Sequence, residues 1–204
     1  MYIPTLNLTT DKNEIVSFMR QFSFATIITS KDNYPVATHL PFIITIKDNQ
    51  VILTSHFAKA NEQWKDIVEH PVLVIFSQPH AYISPSHYDS ELNVPTWNYL
   101  SVHAYGQGSL ISDQNLTLEI LEKTIDNFES AYRPQWKKLP EAYKSAMIKG
   151  IVAFEIVITD LQGKKKLSQN KKENEKQKII DTLSKSKDTN EQWIAVYMEK
   201  DQLK

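Results

Sequence analysis

Three polar and aromatic strings lie almost end to end between residues 54 and 105, and their side chains suit a flat, phosphorylated ligand. They are Thr54-Ser55-His56-Phe57-Ala58-Lys59-Ala60-Asn61-Glu62-Gln63-Trp64, Gln78-Pro79-His80-Ala81-Tyr82-Ile83-Ser84-Pro85-Ser86, and Val94-Pro95-Thr96-Trp97-Asn98-Tyr99. Thr38-His39 and Thr54-Ser55-His56 are expected on neighbouring strands of one hairpin, with Lys59 and Asn61 following at a helix entrance. Hydroxyls, one ammonium and a helix N-terminus together satisfy a phosphate dianion. A lone lysine is most often just an exposed one. In the company of Thr54, Ser55, His56 and Asn61, Lys59 is expected to bind phosphate. Trp97 and Tyr99 offer rings to stack on or edge a flavin-like ring, although a core corner or a subunit interface explains them equally well.

Other chemistries find little support. His39, His56, His70, His80, His87 and His103 contain no His-x-x-x-His, His-Glu-x-x-His or carboxylate-flanked pair, so no metal is expected. No Gly-x-Ser-x-Gly occurs, and with four glycines neither a dinucleotide-binding fingerprint nor a Walker loop can be written. His80 and His103 are imidazoles in the motif region, but hydrogen-bonded core histidines account for them better, and no catalytic residue is assigned. The chain has 204 residues, enough for one large domain or a domain with an appendage, and a net charge of −1. Cysteine is absent. Met1-Tyr2-Ile3-Pro4 leads to Asp11-Lys12 without an apolar stretch, and no apolar run reaches membrane-spanning length. A cytoplasmic protein without membrane contact is expected.

The elements that must position these groups are legible in part. Asp11 and Glu14 have capping-box spacing, and Ile15, Phe18, Met19 and Phe22 share one helical face. Strand-like runs at Phe24–Thr29, Pro35–Ile46 and Val51–Ser55 are separated by Lys31-Asp32-Asn33 and Lys47-Asp48-Asn49, the pattern of an antiparallel meander. Asn61 is placed to cap a short helix through Trp64, Ile67 and Val68 that stops at His70-Pro71. Val72–Phe76 reads as a central strand, Ala81–Ile83 as a short one, and Trp97–Ile111 as a long one. Gly106 and Gly108 mark a bulge or a close backbone approach inside the long strand. Helices are predicted over Asn115–Ser130 and from Pro140 to Gly150, before a last strand at Ile151–Ile158. Six or seven strands with interposed helices and no regular βαβ alternation indicate a mainly β, α+β fold, an antiparallel barrel with helical decoration.

Residues 163–187 hold nine lysines against Glu173, Glu175 and Asp181, a local balance of +6 that leaves −7 on the remainder. The domain reading is therefore 1–162 for the barrel and 163–204 for a lysine-rich C-terminal segment, helical and packed on it. Ile179, Ile180 and Leu183 supply an apolar edge, so solvated lysines on a helix are favoured over a nucleic-acid surface. The only arginines, Arg20 and Arg133, lie outside this segment, and arginine is the commonest reader of guanine edges. DNA contact is expected to be weak and unspecific.

Several strings resemble the motifs of the PaiB family: Thr38-His39-Leu40-Pro41, Ser55-His56-Phe57-Ala58-Lys59-Ala60-Asn61 with Gln63-Trp64, His80-Ala81-Tyr82-Ile83-Ser84-Pro85-Ser86, Val94-Pro95-Thr96-Trp97-Asn98-Tyr99 with Val102-His103-Ala104-Tyr105-Gly106, and Lys166-Leu167-Ser168-Gln169-Asn170. These are FMN-binding proteins described as negative transcriptional regulators of protease synthesis and sporulation. The likeness runs in order from residue 1 to about 200. It implies an FMN-binding split β-barrel, related to pyridoxamine 5′-phosphate oxidase and flavin reductase-like proteins, forming a homodimer with FMN at the subunit interface. Thr38 and His39 then lie beside the phosphate, Thr54, Ser55 and His56 hold it, and Lys59 is its basic ligand. Lys166, Ser168 and Gln169 match the segment that closes over the flavin in relatives. Two departures are His87, where the family pattern carries Trp, and Lys59, where it more often carries Arg with its bidentate fork. The resemblance leaves two further roles open: a flavin-dependent oxidoreductase acting on a small molecule, and a DNA-binding repressor using the lysine-rich segment. A haem-related role, known among split-barrel relatives, is the faintest.

Overall fold

The computed structural model describes residues 1–202. A two-residue strand β1 (Leu8–Thr9) precedes helix α1 (Lys12–Gln21). Asp11 opens this helix as its spacing predicts, its carboxylate accepting the backbone N–H groups of Asn13 at 2.9 Å and Glu14 at 3.2 Å. Two hairpins follow, β2 (Phe24–Lys31) with β3 (Tyr34–Pro41) and β4 (Ile43–Lys47) with β5 (Gln50–Ala58). Asp32, Asn33, Asp48 and Asn49 at their tips have φ between 48° and 63°, the left-handed conformation of tight hairpin turns that Asn and Asp tolerate. The run read as one strand over Pro35–Ile46 is broken at Phe42, whose N–H turns away to Ser23 O at 2.9 Å while its ring is fully buried.

Helix α2 (Gln63–Glu69) leads to β6 (Val72–Phe76), β7 (His80–Ile83) and β8 (Thr96–Ile111). The second half of the chain holds α3 (Gln114–Phe128), α4 (Arg133–Lys138), α5 (Glu141–Lys149), β9 (Ile151–Lys166), α6 (Glu173–Leu183) and α7 (Thr189–Gln202). Asp113 caps α3 by accepting from Asn115 and Leu116 N–H at 2.7 and 3.0 Å. The described residues thus form nine strands, not six or seven. β1 was too short to show a pattern, one predicted run became β3 and β4, and β9 continues eight residues beyond Ile158. α4, with Pro134 in its first turn, was also too short to read from periodicity.

The chain divides into two compact units. The larger comprises Val16–Phe76 and His103–Leu161. Its strands run in the order β3-β2-β6-β8-β9-β5-β4, with antiparallel registers that pair Thr26 with His39, Ile43 with Thr54 and Ser55 with Phe154. β6 lies between β2 and β8, the central place its apolar sequence suggests. Phe57 stacks on Phe154 at 4.8 Å, and Phe42 meets Phe154 at 6.3 Å and Phe76 at 6.1 Å, forming a core with Ile27, Leu53 and Ile156. Gly106 and Gly108 answer a close approach: a Cβ would lie 2.3 Å from Val157 O at the first and 2.7 Å from Ile67 O at the second.

The smaller unit comprises Met1–Ile15, Ser77–Val102 and Gln162–Lys204. β1 pairs with the end of β9 (Thr9 with Gly163), and β7 pairs with the start of β8 (His80 with Tyr99, Tyr82 with Trp97). α6 and α7 pack together, burying Ile179, Ile180, Leu183, Ile194 and Met198 with Ile83 and Leu167. Lys165 joins three segments of this unit through ion pairs to Glu14 at 2.8 Å and Asp201 at 2.9 Å. No helix among the described residues is long and apolar enough to cross a membrane.

Candidate functional site

Seven of the twelve residues singled out by sequence, Thr38, His39, Thr54, Ser55, His56, Lys59 and Asn61, lie in the larger unit. Thr54, Ser55 and His56 occupy β5, opposite Glu155, Phe154 and Ala153 of β9. Ser55 is buried and donates its hydroxyl proton to Pro41 O at 2.7 Å, which ties β5 to the end of β3. Thr54 donates to a Glu155 carboxylate oxygen at 3.4 Å, a long bond that leaves the hydroxyl easily re-aimed. His56 is half-buried, and desolvation pushes its imidazole below the ordinary value, favouring the neutral ring. His39 is exposed on β3, its ring stacked near Phe24 at 6.3 Å.

Thr38 and Asn61 meet directly. Asn61 Nδ2 donates to Thr38 Oγ1 at 2.9 Å, and Thr38 donates onward to Gln63 Oε1 at 2.6 Å. Gln63, which sequence reasoning did not select, completes the network: its amide donates to Thr29 Oγ1 at 3.2 Å and Val36 O at 3.0 Å. α2 starts at Gln63 and not directly after Asn61, although Asn61 Oδ1 still accepts Gln63 N–H at 3.1 Å. Lys59 has its backbone pinned, its N–H donating to Gly150 O at 2.9 Å and its carbonyl accepting from Trp64 Nε1 at 3.2 Å. Its side chain is exposed, forms no ion pair among the described residues, and borders a cavity of about 310 Å³ with Trp64, Lys149, Val152 and Ala153.

The other five, Trp97, Tyr99, Lys166, Ser168 and Gln169, lie in the smaller unit. Trp97 is half-exposed and edges Tyr82 at 5.8 Å, while His80 tilts against it at the same distance. Lys164 Nζ sits 5.1 Å from the centre of the Tyr99 ring. Strand alternation turns the intervening Asn98 the other way, and it is 0% exposed. Ser168 adopts φ 59° and donates to Asn98 Oδ1 at 3.0 Å. Gln169 spends its amide on the same turn, accepting Leu167 N–H at 2.8 Å and donating to Lys165 O at 2.7 Å. Lys166 donates to Thr96 Oγ1 and to Trp97 O. Lys166, Ser168 and Gln169, but not Trp97 or Tyr99, border a second cavity, of about 320 Å³, with Thr96 and Asn98. Its wall also contains Lys171, Asn93 and Tyr88, none of which the sequence reading selected. The signal for Lys171 was its place one residue past the Lys166–Asn170 string.

His103 Nδ1 is buried without a hydrogen-bond partner among the described residues, and burial lowers its pKa. Among these residues no group of three His, Asp or Glu is arranged to hold a metal ion.

Comparison with known proteins fixes the lineage. Residues 1–160 match the family described as "Putative FMN-binding domain". Over 211 aligned residues the chain is 40% identical to protease synthase and sporulation protein PAI 2 of Bacillus subtilis, covering 100% of this chain and 99% of that one. The chain belongs to the PaiB family. An uncharacterized protein of Aspergillus fumigatus shares 27% identity, over 91% of both chains. Among solved structures, a flavocytochrome from Azotobacter vinelandii superposes with TM-score 0.63 at 17% identity, over 78% of this chain and 68% of that one. The FAD and heme binding protein from Mycobacterium smegmatis gives TM-score 0.62 at 15% identity, over 78% and 73%. At such identities the likeness concerns the fold. This PaiB-family chain has the antiparallel α+β fold of the FMN-binding split barrels.

Proposed function

We infer that this PaiB-family chain binds FMN, as a cytoplasmic homodimer whose flavin sites are completed at the subunit interface. The match of residues 1–160 to an FMN-binding domain carries the reading. The donor set supports it. A phosphate dianion needs hydrogen-bond donors with protons to give, and Lys59 has all three, unused in any ion pair among the described residues. Asn61 keeps a second amide N–H beyond the one given to Thr38, and among the described residues the Thr54 hydroxyl has only its long bond to Glu155. Lys59, Asn61, Thr54 and the neutral His56 are therefore the residues proposed to face the phosphate. Thr38 and Ser55, whose protons go to Gln63 and Pro41, hold the surrounding strands in place. His39, Trp97, Tyr99, Lys166, Ser168 and Gln169 are proposed as further flavin neighbours.

Bound FMN supplies the redox chemistry; the chain binds it and tunes its surroundings. The resemblance to a family of transcriptional regulators, with a Bacillus subtilis homologue named for protease synthesis and sporulation, supports a regulatory role for this chain as well. We assign that role to flavin occupancy and not to sequence-specific DNA readout. Of the tail lysines, Lys165, Lys172, Lys176 and Lys178 already have carboxylate partners.

The absorbance spectrum of the purified protein tests the reading. Flavin bands are expected, with FMN identified by mass after heat release. Colourless protein that takes up no added FMN would refute it. Bleaching of the bound flavin by NADH would turn the role toward oxidoreduction.

A further inference from the structure

The cavity beside Lys166 is also lined by Lys171, Asn93 and Tyr88, whose chemistry the flavin reading leaves unused. Its volume, about 320 Å³, lies at the small end of ligand pockets, which run from about 300 to 1,000 Å³. A compact ligand suits it better than a whole flavin nucleotide. The cavity wall includes Lys166 and Lys171 and, beside them, Leu6, Val94 and Tyr88. Lys166 donates to Thr96 Oγ1 and to Trp97 O at 2.9 Å, and Lys171 donates to Asn93 Oδ1 at 2.6 Å and sits 3.7 Å from the centre of the Tyr88 ring. All these partners are neutral.

The contrast with the neighbouring lysines is what matters. Lys165, Lys172, Lys176 and Lys178 pair with Glu14 and Asp201, Asp89, Glu173 and Asp89 respectively, whereas Lys166 and Lys171 form no ion pair among the described residues. Glu175 acts on Lys171 only through space, its oxygens accepting the backbone N–H groups of Asp89 and Lys172. Two lysines thus border one partly desolvated cavity with no carboxylate in ion-pair contact among the described residues. Burial indeed holds the Lys166 pKa below the usual lysine value. In the same wall, the fully buried Asn98 has among the described residues only the weak acceptor Met198 Sδ, at 3.5 Å, for its Nδ2.

We propose that this cavity binds a small organic anion, a carboxylate borne on a compact apolar or aromatic body. The carboxylate lies between Lys166 and Lys171, where charge-assisted hydrogen bonds replace the missing counter-charge. The apolar body lies on Leu6, Val94 and the Tyr88 ring, which inorganic phosphate does not use. The site rests on the FMN reading only in sharing Lys166, Ser168 and Gln169 with the proposed flavin neighbours.

Calorimetric titration of the full chain with sodium benzoate, benzyl alcohol and inorganic phosphate tests the assignment, run on flavin-loaded and flavin-free protein. Benzoate is expected to bind once per chain, at least tenfold tighter than the other two. Lys171→Gln and Lys166→Met should each weaken benzoate at least tenfold while leaving benzyl alcohol unchanged, and Lys171→Gln alone decides if Lys166→Met fails to fold. Benzoate no tighter than benzyl alcohol, or unaffected by Lys171→Gln, overturns the proposal. Mole-for-mole displacement of FMN by benzoate also overturns it, giving the cavity to the flavin. Benzoate binding by a chain that takes up no FMN would keep this proposal and remove the FMN reading.

Discussion

Gln63 is 3% exposed at a point where groups from β2 and β3 and the segment before α2 converge. Its amide oxygen accepts from Thr38, and its amide nitrogen serves Thr29 and Val36. Gln63→Leu keeps the bulk but leaves the buried Thr29 hydroxyl and the half-buried Thr38 and Val36 groups without this partner, and each buried polar group left unpaired costs about 1–3 kcal/mol. The variant should therefore lose about 2–4 kcal/mol in urea unfolding, since the network acts as a unit. A loss within about 0.5 kcal/mol, the range of an ordinary surface change, would contradict this role. The same residue shows where the sequence stopped being informative. The strings at Thr38, Thr54–His56 and Asn61 announce polar side chains at strand ends. They do not say whose proton is already committed, because Thr38 meets Gln63 across 25 residues of chain.

At the scale of elements, Asp89 fastens the loop before β8 to α6. Its carboxylate accepts from Lys178 Nζ and Asn174 Nδ2, both at 2.8 Å, and Lys172 lies 3.6 Å away. The hydrogen bond from Lys178, then that from Asn174, holds its pKa down to about 2, below the unperturbed 3.8. A folded-state pKa depressed in this way stabilises the fold above the unfolded value, and the contribution fades as pH falls toward 2. Wild type should thus unfold at higher urea than Asp89→Asn at pH 6, with the gap closing between pH 4 and 2 (approximate window from these pKa values). A gap that persists undiminished at the acid end would remove the carboxylate from this role. Most elements could be read in advance because their signals are local. Asp11 accepts the first N–H groups of α1, and the paired Asp-Asn turns close both hairpins. What escaped was non-local. β1 exists because β9 runs on past Ile158 to pair with it, and no two-residue segment carries a period.

At the scale of the whole molecule, large apolar side chains remain in solvent in both units. Phe24 and Tyr34 are exposed in the larger, and Tyr82, Leu92, Val94 and Trp97 in the smaller. Tyr82 and Trp97 meet edge to face at 5.8 Å; contiguous apolar exposure of this kind marks surfaces that bind partners, and a two-fold contact between copies would cover it. Sedimentation equilibrium at micromolar concentration should give twice the chain mass of 23.6 kDa. Random duplex DNA added at about 150 mM salt should leave that mass unchanged, because counterion release weakens such contacts steeply and both lysines of α6, Lys176 and Lys178, are already paired. A monomer, or a stable DNA complex at that salt, would contradict this picture of the assembly.

The central claim is that this chain recognises FMN through its phosphate, with Lys59 as the basic ligand. Flavin-fluorescence titrations of wild type and Lys59→Ala, each with FMN and with riboflavin, test it in one cycle. A charge-assisted hydrogen bond contributes about 1.5–3 kcal/mol. FMN should therefore bind Lys59→Ala about ten- to a hundredfold more weakly, while riboflavin, which lacks the phosphate, binds both proteins alike. Lys59→Arg should keep or improve FMN affinity where the guanidinium fork finds room. Equal losses for FMN and riboflavin, or no loss for either, would contradict the account.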